Sequence, residues 1–443
     1  MTAEPSDAFR RAFAAGVRFQ RAGHAAKARK YFLRAASIQP WSYAKIGMAA
    51  LEAGDWSEAR EIFADVVSAP TAPPALVAMA KNNLGKAESF LGRRDLAEQL
   101  FAEAYRMLPS NAAIMGNIGL THLWHGRTED AMAWVDMALA ADPKLASARF
   151  TKSMILLLEG RWLEGWPLYD ARWDNGLKRQ AMPMPEWNLT DSLEGKTIIV
   201  ADEQGVGDMI MAARWIPRLL AMGARVKLAA HRKLAPMLAA AMPEISGHFE
   251  TGEPIHDVDA DLWVPCMSLL KAFQVTPYNI PDAPYLRHPK AFFSREKPRI
   301  GLVWKGSPYH QHDAYRSVSF DTIEPIICPG ASWYSLQVGE PGAFGNHGID
   351  IGAGLIDWIQ TAEAVGAMDL VISVDTSVAH LAGALGIPCW LMLQYAPDWR
   401  WLQRGAATPW YPAHRLFRQP TPGDWGPVID EVKVALKEEF NVG

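Results

Sequence analysis

Residues 84–109 and 118–143 carry the same pattern of small and apolar positions, displaced by 34. Gly85 and Gly119 keep that offset, as do Gly92 and Gly126, Ala97 and Ala131, Ala104 and Ala138, and Pro109 and Pro143. A fixed period of this length constrains the fold more than any single motif. Each repeat is a helix–turn–helix unit that cannot bury its apolar face alone, so successive units must stack. Small residues let the two helices cross closely, and proline closes the second one. Earlier copies have Gly16, Gly23, Ala28, Phe32, Ala35 and Pro40, then Gly47, Gly54, Ala59 and Phe63, at the same internal positions. A fifth, degraded copy runs through Gly160 and "EGWPLYDARWD". Its Trp166, Tyr169 and Trp173 suggest a capping unit packed against whatever follows.

This is the tetratricopeptide period, and it predicts an all-α solenoid over residues 1–178. A stack of such repeats leaves a concave face that suits a protein partner and shows no chemistry of its own. The remaining composition narrows the class. A formal net charge of −4 argues against a sequence-independent grip on nucleic acid. Cys266, Cys328 and Cys389 are far apart in sequence and form neither a redox pair nor a zinc spacing. No apolar run approaches the ~18 residues of a membrane span, and the first residues do not read as a signal peptide. The expectation is a cytoplasmic protein.

Residues 179–196, with two prolines in "MPMPEWNLTDSLEGK", break the helical pattern and read as a linker. Beyond them strands and helices alternate, as in a parallel sheet with helices on both faces. "TIIVADEQ", "RVKLAA" and the start of "DADLWVPCMSLLKAF" read as strands of one domain, 197–293. "GVGDMIMAARWIPRLLAMG" reads as one helix within it. A second domain, 294–443, begins at "KPRIGLVWKG", continues through "ASWYSLQ", "DLVISVD" and "PCWLML", and ends in an amphipathic helix. Ligands of such sheets bind outside the carboxyl ends of the strands.

Two strand-to-helix turns stand out. In "VISVDTSVAHLAGALG" an apolar strand stops at Asp375 and a helix of small residues follows. Free N–H groups and the positive dipole end of that helix suit an anion. Thr376 and Ser377 add hydroxyls, and His380 lies one turn on. The alternative is capping by Asp375 with a core histidine. In "ADEQGVGD" Gly205 and Gly207 form a tight turn. It fails the dinucleotide fingerprint, because Ile210 stands at the third glycine position and no acid follows about twenty residues on. It offers Glu203 and Asp208, either as a general base or as carboxylates placed for the helix dipole. "WKGSPYHQHDAYRS" brings Lys305 and Arg316 for phosphate oxygens, while His310, His312 and Asp313 are weak metal candidates. "DWRWLQRGAATPWYP" reads as a packed surface loop.

Together "EQGVGD", "GLVWKGSPYHQHDAYRS", "YSLQ", "DLVISVDTSVAHLAGALGIPCW", "DWRWL" and "PWYPAHRLFRQPTPGDW" resemble the bacterial tetratricopeptide-repeat glycosyltransferases, relatives of the lipopolysaccharide heptosyltransferases with an O-GlcNAc-transferase-like architecture. The resemblance spans about residues 160–430 and keeps the motifs in order. It implies a GT-B fold, two facing Rossmann-like domains, in which 197–293 takes the acceptor and 294–443 the sugar nucleotide. It implies Asp208 as the base, with Glu203, Gln204, Gly205 and Gly207 forming the acceptor-side turn. It implies donor contacts from Lys305, Gln337, Asp375, Thr376, Ser377, Val378 and His380. Ser377 stands where the heptosyltransferase pattern has glycine. No metal and no cofactor are implied, the sugar nucleotide being a substrate. By the same resemblance the repeats hold a protein acceptor, with flagellin one example. Two rival readings remain open: a lipid or polysaccharide acceptor, and a non-catalytic repeat scaffold with a degenerate transferase domain.

Overall fold

The computed structural model describes residues 7–22, 24–36, 44–70, 72–251, 259–287, 297–308, 310 and 313–442. Of the positions singled out above, Gly23, Pro40 and His312 lie outside the described residues. The chain divides into two compact units, Met1–Lys152 and Ser153–Gly443. The division falls within the helix Ala146–Leu158, earlier than the expected end of the repeats at 178.

The first unit contains the helix pairs Asp7–Arg21 with Ala25–Ala36, Ala44–Ala53 with Trp56–Ser68, Pro74–Phe90 with Arg94–Met107, and Ala112–Trp124 with Thr128–Ala141. The glycine of each first helix lies against the residue sixteen positions later. A Cβ at Gly47 would stand 2.8 Å from Phe63, at Gly85 2.9 Å from Phe101, and at Gly119 2.6 Å from Val135. The repeat is therefore a repeat of contacts, each pair crossing where a side chain from the second helix fills the space a glycine leaves. Gly92 and Gly126 hold φ of 84° and 73° between the helices, a conformation glycine adopts without a Cβ penalty.

The second unit holds two all-parallel sheets. The first comprises β1 (Thr197–Ala201), β2 (Arg225–Ala230), β3 (Gly247–Glu250) and β4 (Leu262–Pro265), in the order β3-β2-β1-β4. The second comprises β5 (Arg299–Val303), β6 (Ser332–Ser335), β7 (Ile349–Asp350), β8 (Leu370–Val374), β9 (Cys389–Leu393) and β10 (His414–Arg418), in the order β10-β9-β8-β5-β6-β7. β1, β8 and β9 are buried along their whole length, as covered parallel strands must be. The order reverses beside β1 in the first sheet, towards β4, and beside β5 in the second, towards β8. Those reversals open crevices at the carboxyl ends of the strands.

Three strands escaped the sequence pattern. β3 and β7 are short and only partly buried, and β10 alternates with arginines, so none presents a continuous apolar run. The single helix expected over 205–223 is broken into Val206–Ala212, a short 3₁₀ turn and Ile216–Ala221, with Pro217 in the first turn of the last piece. The segment 398–412 is no surface loop. Trp401, Trp410 and Tyr411 are almost fully buried. Trp410 stacks on Trp162 at 5.0 Å, and Trp399 meets Trp166 edge-on at 5.4 Å. The indole N–H of Trp166 donates to the carbonyl of Val275 at 2.7 Å. The aromatic residues of the fifth copy thus pack into the sheet-bearing unit.

Candidate functional site

The turn after β1 and the start of its helix line, through residues 202–206, a cavity of about 320 Å³. Asp202, Glu203, Gln204, Gly205 and Val206 come from that turn, with His231 beyond β2, Thr251 beyond β3 and Pro265 of β4. The cavity therefore lies at the carboxyl ends of the first sheet, where the sequence places the acceptor-side residues. Gln204 adopts φ 63°, and its side chain exchanges hydrogen bonds with the Tyr169 hydroxyl. Glu203 is held on both oxygens by Arg172, at 2.7 and 3.1 Å, and accepts from the Met267 amide at 2.9 Å. Arg172 reaches it from the end of the degraded repeat, and both side chains are nearly inaccessible to solvent. Burial raises the Glu203 pKa while Arg172 opposes the rise. With its oxygens so engaged, Glu203 anchors the turn.

Asp208 sits in the first turn of the helix Val206–Ala212, where one carboxylate oxygen accepts from the Gly205 amide at 2.8 Å. The other oxygen pairs with the guanidinium of Arg400, which also binds Asp398 at 2.7 Å. Burial lifts the Asp208 pKa, and Arg400 pulls it back down. Gly207 sets the approach of the two sheets' helices. A Cβ there would lie 2.8 Å from Cδ2 of His380 and 3.4 Å from Cα of Ser377. The helix after β1 and the helix after β8, Ser377–Leu385, thus pack against each other at their first turns.

On the second sheet, Thr376 is the N-cap residue, but no side chain caps the helix. The alternative in which Asp375 caps the helix has no such hydrogen bond among the described residues. The Thr376 hydroxyl instead pairs with that of Ser373 at 3.0 Å. Arg316 donates to the Asp375 carbonyl at 2.8 Å and to the Asp313 carboxylate at 3.1 Å. Burial, reinforced by the neighbouring charge of Asp398, raises Asp375 to about 6 against the pull of Arg316. Among the described residues no group of three His, Cys, Asp or Glu is placed to hold a metal ion.

Three expected donor contacts are engaged elsewhere. Nδ1 of His380 lies 3.0 Å from the Tyr411 hydroxyl, and the ring stacks on Trp401 at 5.2 Å. Burial, aided by Arg400, pushes its pKa well down. It is a core histidine, the alternative that spacing left open. The Gln337 side-chain oxygen accepts from the amides of Trp304 and Lys305, at 3.0 and 2.9 Å, which fixes the loop after β5. Lys305 itself pairs with Glu340 at 2.7 Å. Val378 is buried, whereas Asp375 and Ser377 remain partly accessible. Arg400 and Asp398 were not picked out individually from the sequence. Their signal was present in "DWRWL", where a charged pair sits among tryptophans.

Residues 82–146 match the tetratricopeptide repeat family model. Over 402 residues, 81% of this chain, the sequence is 30% identical to Protein FlbA of Caulobacter vibrioides (strain ATCC 19089 / CIP 103742 / CB 15). The aligned region spans 66% of that protein's length. Similar solved structures include a thermophilic TPR protein of Thermus thermophilus, 21% identical, covering 38% of this chain and 91% of that one with a TM-score of 0.32. MamA of Desulfovibrio magneticus is 17% identical, covering 38% and 94% with a TM-score of 0.29. No described helix is long and apolar enough to cross a membrane. The chain is similar to FlbA over most of its own length, and it carries tetratricopeptide repeats followed by parallel-sheet α/β structure.

Proposed function

We propose that the chain is an inverting GT-B glycosyltransferase that moves a sugar from a nucleoside-diphosphate donor to a hydroxyl of a protein bound by the repeats. The observation that carries this reading is the meeting of the two strand-to-helix turns. Two parallel sheets bring the helix starts at 206 and 377 together through Gly207, with Asp208 on one side and the uncapped first turn of Ser377–Leu385 on the other. A base and an anion-binding helix end brought together are what inverting transfer requires. The cavity lined by Gln204 and Gly205 suits the acceptor, its volume falling at the lower end of the range for ligand pockets. Lys305, Asp375, Thr376 and Ser377 take the donor side, and His380 serves by packing against Gly207. A metal ion is not needed when a helix end and guanidinium groups meet the departing diphosphate.

A second reading has its own support. Both carboxylates of the first turn are engaged by arginines, as they would be in a repeat scaffold whose transferase region binds without turnover. Release of nucleoside diphosphate from UDP-, GDP-, ADP- and dTDP-sugars by the full chain separates the two. Under the enzyme reading at least one donor is turned over, and Asp208→Asn lowers that rate by about 10²–10⁴ while donor affinity holds or improves. A protein that releases no diphosphate from any of these donors, whether or not it binds them, is the scaffold.

A further inference from the structure

We infer that Arg400 couples donor binding to activation of Asp208: its guanidinium holds the carboxylate in the free protein and moves to the diphosphate when the donor binds. This rests on the glycosyltransferase reading above. Arg400 lies in the 3₁₀ turn Trp399–Trp401 beyond β9, on the donor sheet, yet its side chain reaches the carboxylate at the start of the acceptor-sheet helix. Asp398 fixes the near end of the residue by accepting from the Arg400 amide at 3.0 Å and from Nη1 at 2.7 Å. The Trp399 ring lies 4.4 Å from the guanidinium carbon. Nη2 makes the contact with Asp208. The fork is therefore tethered at one nitrogen and bridges the two sheets with the other.

The charge of Arg400 also acts on Asp375 and His380, which flank the uncapped first turn of Ser377–Leu385. Trp401, the next residue, stacks on His380 at 5.2 Å, and Gly207, the residue before Asp208, packs against Ser377 and His380, so the ion pair lies beside the turn read as binding the diphosphate. A guanidinium binds two phosphate oxygens in a fork and a carboxylate in the same geometry, so the two anions compete for it. Loss of the positive partner strengthens Asp208 as a base when the donor is in place. In the step that follows, the acceptor oxygen bonds to the anomeric carbon as its proton passes to Asp208. The bond from that carbon to the diphosphate oxygen breaks, its electron pair staying on the diphosphate. Arg400 meets the charge that develops there. Asp208 then gives its proton to water as the diphosphate leaves and Arg400 returns.

Inorganic pyrophosphate is the probe. It is titrated calorimetrically against the full chain, Asp208→Asn, Arg400→Lys and the double variant, with circular dichroism to check folding. A relay predicts that Asp208→Asn binds pyrophosphate about tenfold more tightly, because the competing charge is gone. Arg400→Lys binds about tenfold more weakly, and Asp208→Asn tightens it less than it tightens the wild type, a coupling the double variant reads. A merely structural ion pair leaves the pyrophosphate affinity of Asp208→Asn at the wild-type value, and that result overturns the inference while leaving the transferase reading intact. Should Arg400→Lys fail to fold, Asp208→Asn against wild type decides alone. A wild-type protein that binds no pyrophosphate and turns over no sugar nucleotide removes both.

Discussion

The turn after β1 presents Glu203 and Asp208 at the carboxyl end of its sheet, and the turn after β8 presents Asp375 at the end of the other. The three carboxylates meet different partners. Arg172 arrives from the degraded repeat to hold Glu203, and Arg400 crosses from the other sheet to hold Asp208. At Asp375 the Arg316 guanidinium binds the backbone carbonyl, and burial, with the charge of Asp398 adding to it, raises the pKa. The local pattern of strand, acid and helix is the same. What each acid can do is decided by residues distant in sequence: both carboxylates of the first turn are paired with guanidinium groups, and that of the second is raised by burial first and by Asp398 second.

The sharpest way to break the comparison is at its most closed point. Glu203→Gln leaves the Arg172 guanidinium buried with its main partner gone, and chemical denaturation should show a loss of about 3–5 kcal/mol. A loss below about 1 kcal/mol would mean that water enters the turn and that it is not closed. Gly207→Ala tests the joint between the turns. Its methyl would press on the His380 ring and the helix start, which should cost about 1–3 kcal/mol. Because one side chain is the main obstacle, His380→Ala in the same chain should recover part of that loss, a coupling that a double-mutant cycle reads directly.

The remaining effect is read against pH and lies at the turn after β8. Asp375 keeps its proton up to about 6, above its ordinary value of 3.8. A folded-state pKa raised in this way favours folding at low pH, and the benefit disappears as pH climbs through the folded pKa. Asp375→Asn should therefore gain stability relative to wild type as pH rises from about 4 to 6, then hold that gain. Matched thermal melts across this window check it. A flat difference would show that Asp375 is not held above its normal range.

The repeats were legible because their contacts are local. A glycine and the residue sixteen positions later write the helix crossing into a single window, and the period shows it several times. The long buried strands were legible for a similar reason, since β1 and β8 are mostly apolar runs between polar turns. β10 was not, because its arginines hide the strand. In the candidate site, spacing singled out Asp208, His380 and the helix start at 377, and the resemblance added Gln337, but the partners of these side chains were not legible. Nothing near His380 in sequence indicates that Tyr411 and Trp401 will enclose it, and nothing near Gln337 shows that it clamps the loop after β5. Arg172 and Arg400 were harder still, since each acts on a carboxylate from another part of the fold.

The aromatic cluster has an optical consequence. Trp162 lies stacked on Trp410, Trp166 sits edge-on to Trp399, and all four indoles are buried. Indoles this close share excitation, so their near-ultraviolet dichroism carries the signature of the group and not of isolated chromophores. That signal belongs to the seating of Trp162–Tyr169 on the segment bearing Arg400. Light absorbed by the protein's own side chains therefore reports whether this segment is in place, with no label attached.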